Sequence, residues 1–354
     1  MRDACPAPLP HTEHIVLGHG SGGRLTQQLI EGVFYPLLDN PVLAVGDDAA
    51  LPGLDAEDLE GSLGPGRLAL TTDAHMVSPL EFPGGDIGRL AVCGTVNDLV
   101  VVGARPLWIT AAFMLEEGLE TALLTRIVAS MRQAADEAGV IVVAGDTKVA
   151  ERGKVDGLYI STAGAGWVPA GRDASGRGAR PGDAVLLSGT LGDHGIAVLA
   201  ARGELAFETD LTSDVASLHT LVEGLYGSGA RIHAMRDPTR GGLAATLNEI
   251  ACQSTVRIVL EEESLPVRPE VEGACEMLGF DSLLVANEGK LVAFVPAEDA
   301  DRALEAMKDH PLGTDAALIG HVESADRPEV HLHTAIGGTR IVERPAGELL
   351  PRIC

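Results

Sequence analysis

Six aspartates stand at the ends of apolar runs or in small-residue turns: Asp47 and Asp48 (GDDAA), Asp73 (TTDAH), Asp98 (VNDLV), Asp146 (AGDT) and Asp237 (DPTRGG). Hard cations such as Mg²⁺ take oxygen ligands, commonly a few carboxylates shared with substrate phosphates. Any one of these residues reads equally well as a helix cap or turn residue. The set points further, because open α/β folds bind ligands just beyond strand ends. Upstream, Gly18-His19-Gly20-Ser21-Gly22-Gly23-Arg24 places four glycines where successive N–H groups can converge on an anion. No GK[ST] follows and no good strand precedes, so this is neither a Walker loop nor a dinucleotide fingerprint. Taken alone it also fits a solvated glycine-rich segment.

Three further places could carry chemistry. Lys148, in AGDTK, could neutralise developing phosphoryl charge or be an ordinary surface lysine. Ala286-Asn287-Glu288-Gly289-Lys290 interrupts two apolar stretches. Its carboxylate could act as a general base, but Asn and Gly suit a hairpin, and spacing alone favours the turn. The chain ends Leu350-Pro351-Arg352-Ile353-Cys354, with the cysteine last, so it is not a prenylation box. Generic termini are structureless. Here Pro345 and Pro351 hold the chain extended and Gly337-Gly338 offers a hinge. The segment from Gly338 to Cys354 reaches up to roughly 50–58 Å when extended, enough to carry a thiol into a cleft.

The elements that must position these residues alternate. Strands are predicted at 42–45, 67–72, 107–114, 140–144 and 157–168, with helices at 86–103 and 119–138, the latter stopped by Gly139. GRDASGRGARPG, at 171–182, is the clearest break. Beyond it, strands at 183–188, 256–260, 290–296, 317–322 and 330–333 mix with helices at 196–202, 212–228, 243–252, 268–278 and 300–308. The expectation is an α/β protein with mixed sheets in two domains, 13–170 and 183–338. These are joined by a linker, 171–182, preceded by an extension, 1–12, and followed by a flexible tail, 339–354.

Composition narrows the class. Against 51 Asp+Glu there are 26 Lys+Arg among 354 residues, a net charge of −25. That argues against nucleic acid and against an anionic membrane surface as partners. No apolar run reaches the ~18 residues of a membrane span. The five cysteines have no zinc-like spacing, and no signal peptide is visible, so a reduced, cytoplasmic protein is expected.

GSGGR, GDDAA, TTD, VNDL, AGDTKV, DPTRGG, ANEG and a terminal PRIC, in this order, resemble the HypE-type hydrogenase maturation family. That family belongs to the superfamily of aminoimidazole ribonucleotide synthetase, selenophosphate synthetase and thiamine-monophosphate kinase. The resemblance runs from about Glu13 to Cys354, and the terminal PRIC separates HypE from its relatives. It implies a two-domain fold of the superfamily type that pairs as a homodimer through its N-terminal domains. It also implies an ATP-dependent carbamoyl dehydratase. HypF loads a carbamoyl group onto the terminal cysteine, the protein dehydrates it to a thiocyanate, and cyanide passes to iron on the HypC–HypD complex.

By the same resemblance, Asp47, Asp73, Asp98 and Asp237 would bind Mg²⁺. With Asp146 and Gly20, Ser21, Gly22 and Gly23, these acids would bind ATP. Cys354, Glu288 and Lys148 would carry catalysis, as substrate-bearing thiol, base and charge stabiliser. Another superfamily ATPase, such as a thiamine-phosphate kinase or selenophosphate synthetase, and a non-catalytic carrier are the alternatives. ATP turnover separates the last of these from the enzymes.

Overall fold

The computed structural model describes residues 13–16, 19, 24–41, 61, 63–203, 209–344, 350 and 352–354. Gly20, Ser21, Gly22, Gly23, Asp47, Asp48, the strand predicted at 42–45 and the extension 1–12 lie outside the described residues.

The first domain is built on a four-stranded sheet. After α1 (Arg24–Leu29) and α2 (Tyr35–Leu38), strand β1 (Gly66–His75) leads through a short hairpin, β2 (Glu81–Phe82) and β3 (Gly85–Asp86), into α3 (Ile87–Val101). Asp86 caps α3, its Oδ1 accepting from Gly88 N at 2.7 Å and Arg89 N at 3.0 Å. There follow β4 (Arg105–Glu116), α4 (Thr121–Ala138), β5 (Ile141–Ala150) and β6 (Leu158–Pro169). The sheet order is β1-β6-β4-β5, with β4 and β5 parallel and the other pairs antiparallel.

Helix α3 lies against one face of this sheet and α4 packs over it. All of α3 is buried except Arg89 and Asp98, so it reads as apolar on nearly every side. In α4, Leu124, Ile127, Val128, Met131 and Ala135 give a one-sided apolar stripe, and the helix ends at Gly139 as predicted. Strand β1 alternates: Thr71, Asp73 and His75 turn toward α3, while Leu68 and Leu70 face outward, 53% and 72% exposed.

The second domain holds a seven-stranded sheet. Its elements are β7 (Asp183–Leu187), α5 (Asp193–Ala201), α6 (His219–Gly227), β8 (Ala234–Arg236), α7 (Gly242–Ser254), β9 (Val256–Glu261) and α8 (Pro269–Leu278). They continue with β10 (Val292–Pro296), α9 (Ala300–Lys308), β11 (Ala317–Ser324), β12 (Glu329–His333) and β13 (Thr339–Ile341). The order is β13-β12-β9-β11-β7-β10-β8, with β9 and β12 parallel. Strands β7 and β10 are buried along their whole length, because elements cover both faces. Helix α7 lies against β9 and β12, and α9 against β7, β10 and β11.

The linker is anchored. Arg172 forks onto Glu223 of α6 at 2.6 and 2.7 Å and lies 4.2 Å over the Tyr226 ring. Two expectations are corrected. The helix predicted at 212–228 occupies only His219–Gly227, because the preceding segment is pinned in non-helical form. There Ser213 N donates to Pro83 O at 2.8 Å, and the Asp214 carboxylate accepts from Glu288 N and Gly289 N. Gly337-Gly338 is no hinge: Thr334 N donates to Gly338 O at 2.9 Å, closing a hairpin that pairs β13 with β12.

Candidate active site

A cavity of about 150 Å³ opens between the domains. It is lined by Asp73 and His75 of β1, Gly94 and Asp98 of α3, Asp237, Thr239 and Arg240 after β8, and Glu288 and Cys354. Asp73 reaches it because strand alternation turns it toward α3. Asp98 reaches it as one of the few polar positions on that helix. The two elements approach closely at Gly94, where a Cβ would stand 3.0 Å from His75 Cε1 and 3.1 Å from Asp73 Oδ2.

The acids crowd one another. Asp98 accepts from Thr71 Oγ1 at 2.8 Å, yet burial raises its proton affinity. Burial, with repulsion from Asp98, pushes the Asp237 carboxyl up to about 7. His75 is buried, which lowers its pKa despite the neighbouring Asp73 carboxylate at 3.4 Å, so its ring is neutral near pH 7. Arg240 is the guanidinium of this wall. It is exposed at the mouth, and no hydrogen bond or ion pair holds it among the described residues.

Glu288 is not in a hairpin turn, which corrects the reading from spacing. Its segment is buried and held from three sides. Asn287 Oδ1 accepts from Gly192 N at 2.7 Å, and its amide donates to Pro238 O at 2.9 Å. Asp214 accepts from Glu288 N at 3.0 Å, and Lys290 neutralises Asp214 at 3.3 Å. Gly289 is required by close approach, since a Cβ would fall 1.8 Å from the Asp214 carbonyl. The asparagine and glycine that suggest a turn therefore serve a buried crossing. Glu288 is 4% exposed and its Oε1 has no hydrogen-bond partner among the described residues. Burial, then repulsion from Asp237 and Asp214, holds the carboxyl well above the usual range.

The tail runs inward. Met76 N donates to Cys354 O and Ser78 N to Arg352 O, each at 3.2 Å, so the last residues run antiparallel beside the segment that follows β1. Ile353 and Leu350 are buried. Arg352 takes a left-handed backbone, φ 53°, and its guanidinium pairs with Asp156. The Cys354 thiol lies beside Glu288, and burial, then that carboxylate, pushes its pKa well up. The thiol is protonated at neutral pH and a poor nucleophile there.

Asp146 and Lys148 are elsewhere. They pair with each other at 2.7 Å, exposed on β5, and Lys148 lowers the proton affinity of Asp146. Asp146 stands opposite Ala112 and thence Ser161 and Ala74, one residue out of phase with Asp73. Both side chains therefore leave the sheet on its outer face, away from the cavity. Of the residues singled out in the sequence, the structure brings together Asp73, Asp98, Asp237, Glu288 and Cys354. It adds His75, Thr239 and Arg240, for which the only sequence signal is proximity to TTD and DPT.

The two domains are those of the AIR synthase related proteins. The N-terminal domain of that family matches residues 46–168 and the C-terminal domain residues 180–333. The carbamoyl dehydratase HypE of Rhizobium leguminosarum bv. viciae is 54% identical over 344 residues, covering 96% of this chain and 95% of that protein. The crystal structure of the hydrogenase maturation protein HypE in complex with ATP superposes with a TM-score of 0.89 at 47% identity, covering 96% of this chain and 99% of that one. The HypE–HypF complex gives a TM-score of 0.76 at 50% identity, covering 90% and 99%. The chain belongs to the HypE carbamoyl dehydratase family.

Proposed function

We propose that the chain dehydrates an S-carbamoyl group on its own Cys354 to a thiocyanate at the expense of ATP, supplying the cyanide ligand for the iron of [NiFe] hydrogenase. One observation carries this: the terminal thiol sits in the acidic cavity, against a buried carboxyl with an unpartnered oxygen. Nothing about a structureless tail would place it there.

The reaction balances as thiocarboxamide plus ATP giving thiocyanate, ADP, phosphate and a proton. The carbonyl oxygen attacks the γ-phosphorus and the bond to ADP breaks. Phosphate then departs with the C–O electron pair while nitrogen gives up its protons and the C≡N bond forms. Glu288 takes an N–H proton. Its raised pKa makes it a base strong enough for this, and its burial keeps water from competing. Arg240, uncommitted at the mouth, stabilises the departing phosphate.

Asp73, Asp98 and Asp237 fit a divalent cation, because three carboxyls face one cavity and offer the oxygen donors a hard cation takes. Among the described residues no three His, Cys, Asp or Glu side chains form a metal site by themselves. Nucleotide phosphates must complete the ligand set, as Mg²⁺ prefers. Bound there, the ion would neutralise phosphoryl charge. Asp47 and Gly20, Ser21, Gly22 and Gly23 belong to the same proposal as nucleotide-binding groups.

A carbamoyltransferase of the HypF type must load the protonated thiol, and a HypC–HypD type acceptor must take the cyanide. The outer face of the first sheet bears exposed Leu68, Leu70 and Ile141, which fits a second copy of the chain. Asp146 and Lys148 project from that face, so their nucleotide-binding and charge-stabilising roles belong to such a pair. Among the described residues no helix is long and apolar enough to cross a membrane. The test is stoichiometric: carbamoylated chain should release one ADP per thiocyanate formed, and uncarbamoylated chain should release almost none. Rapid ADP release without carbamoylation would favour another superfamily ATPase.

A further inference from the structure

His194 stands outside the chemistry described above, yet it touches the substrate-bearing tail. It lies in the first turn of α5 and is 0% exposed. Its Nε2 is 2.7 Å from the carbonyl oxygen of Ile353, the residue before the substrate cysteine. Its Nδ1 is 2.8 Å from Ser213 Oγ, and Phe82 meets the ring edge-on at 5.5 Å. A carbonyl only accepts, so Nε2 carries the proton. Burial lowers the pKa of the ring, which is therefore neutral, and Nδ1 accepts from the Ser213 hydroxyl. Ser213 Oγ in turn accepts from Val215 N at 3.1 Å, so the tautomer is fixed by a chain of hydrogen bonds.

The turn that holds His194 is tied to the base. Gly195 N donates to Ala286 O at 3.1 Å, and Gly192 N to Asn287 Oδ1 at 2.7 Å. The ring that fixes the Ile353 carbonyl and the segment that carries Glu288 thus form one unit. The other tail carbonyls are met by Met76 N, by Ser78 N and by Arg202, whose contact with Arg352 is exposed. His194 meets its carbonyl in the interior, where a donor left without its acceptor is costly.

We propose that His194 is a positioning residue for the dehydration: its Nε2–H holds the Ile353 carbonyl and so sets Cys354 against Glu288, biasing the tail inward. The inference rests on the tail acting as the substrate carrier. Its consequences have opposite signs in the two halves of the cycle. Loss of the donor moves the tail outward, exposing the thiol to loading while slowing the step that needs it inside.

The test is peptide-resolved alkylation of the full-length chain by iodoacetamide, beside single-turnover dehydration. In His194→Ala, Cys354 should label about 2- to 10-fold faster, the range set by one hydrogen bond's net worth. Dehydration should slow by a similar factor, with ATP affinity unchanged. His194→Gln, which keeps a donor, should lie near the wild type. Buried Cys93 and Cys275 serve as internal standards. If they label faster in parallel with Cys354, His194 is merely structural and the proposal fails. It fails equally if Cys354 labelling is unchanged. The labelling needs no turnover, so a failed dehydratase reading would leave it interpretable.

Discussion

The side-chain amide of Asn97 donates to the backbone carbonyl of Glu288 at 3.3 Å and to Ala216 O at 3.0 Å, while its Oδ1 accepts from Leu218 N at 2.9 Å. Asn97 neighbours Asp98 on α3, so one residue links the helix that presents an acid to the segment that presents the base. The domains meet through this amide, which is 1% exposed.

Asn97→Ala would leave one buried donor and two carbonyls without it. Each group left unpaired costs about 1–3 kcal/mol. The expected result is a clear fall in the urea midpoint and a still larger fall in dehydration rate, with nucleotide binding less affected. A midpoint equal to the wild type would show that the link contributes nothing.

Asp98→Asn and Asp237→Asn keep the shape of the cavity and remove charge. Affinity for ATP in the presence of Mg²⁺ should fall at least roughly tenfold in each, the scale of a charged contact. The loss should shrink when Mg²⁺ is withheld. Calorimetry showing the same affinity as the wild type for both variants would remove them from the ligand set.

Burial, then repulsion from Asp237 and Asp214, raises the Glu288 pKa, so its basic form grows as pH rises above the ordinary carboxylate range. Single-turnover dehydration should accelerate with pH over that window. Because protonation is favoured in the folded state, stability from this group is present below the unfolded carboxyl's pKa. It is lost as pH rises through the folded value. Glu288→Gln should remove both trends. A rate independent of pH from weakly acid to alkaline conditions would contradict the assignment.

These residues were unequally legible in the sequence. Asp73, Asp98 and Asp237 stand out because acids at the edges of apolar segments are conspicuous, and most strands of both sheets follow from alternation and apolar runs, but not the short edge strands β8 and β13. Spacing alone makes Glu288 a turn residue, because Asn and Gly beside it have turn propensity. Their work as a buried hydrogen-bond hub and a close-approach site depends on Asp214 and Pro238, far away in the chain. His194 carries no local signal and Arg240 only its place in DPTRGG, since a cavity lining and a tail contact exist only after the domains dock. Lys148 is singled out by AGDTK and by the resemblance, while strand parity places it on the opposite face.

Arg240→Met should bind ATP and accept the carbamoyl group but slow phosphate departure by about 10²-fold, the scale of one lost electrostatic stabiliser. Added guanidinium ion at non-denaturing concentration should restore part of the rate, which a purely structural defect would not allow. Unchanged single-turnover kinetics in this variant would assign the departing charge to another group.

The most direct measurement is the mass of the C-terminal peptide after carbamoylated chain meets Mg²⁺ and ATP. The wild type should lose the mass of one water from the Cys354 adduct, giving the thiocyanate. Glu288→Gln should keep the carbamoyl adduct, and Cys354→Ala should fold, bind ATP and carry no adduct at all. A wild-type peptide that retains the intact carbamoyl group while ATP is consumed, or a thiocyanate formed at normal rate by Glu288→Gln, would contradict the account.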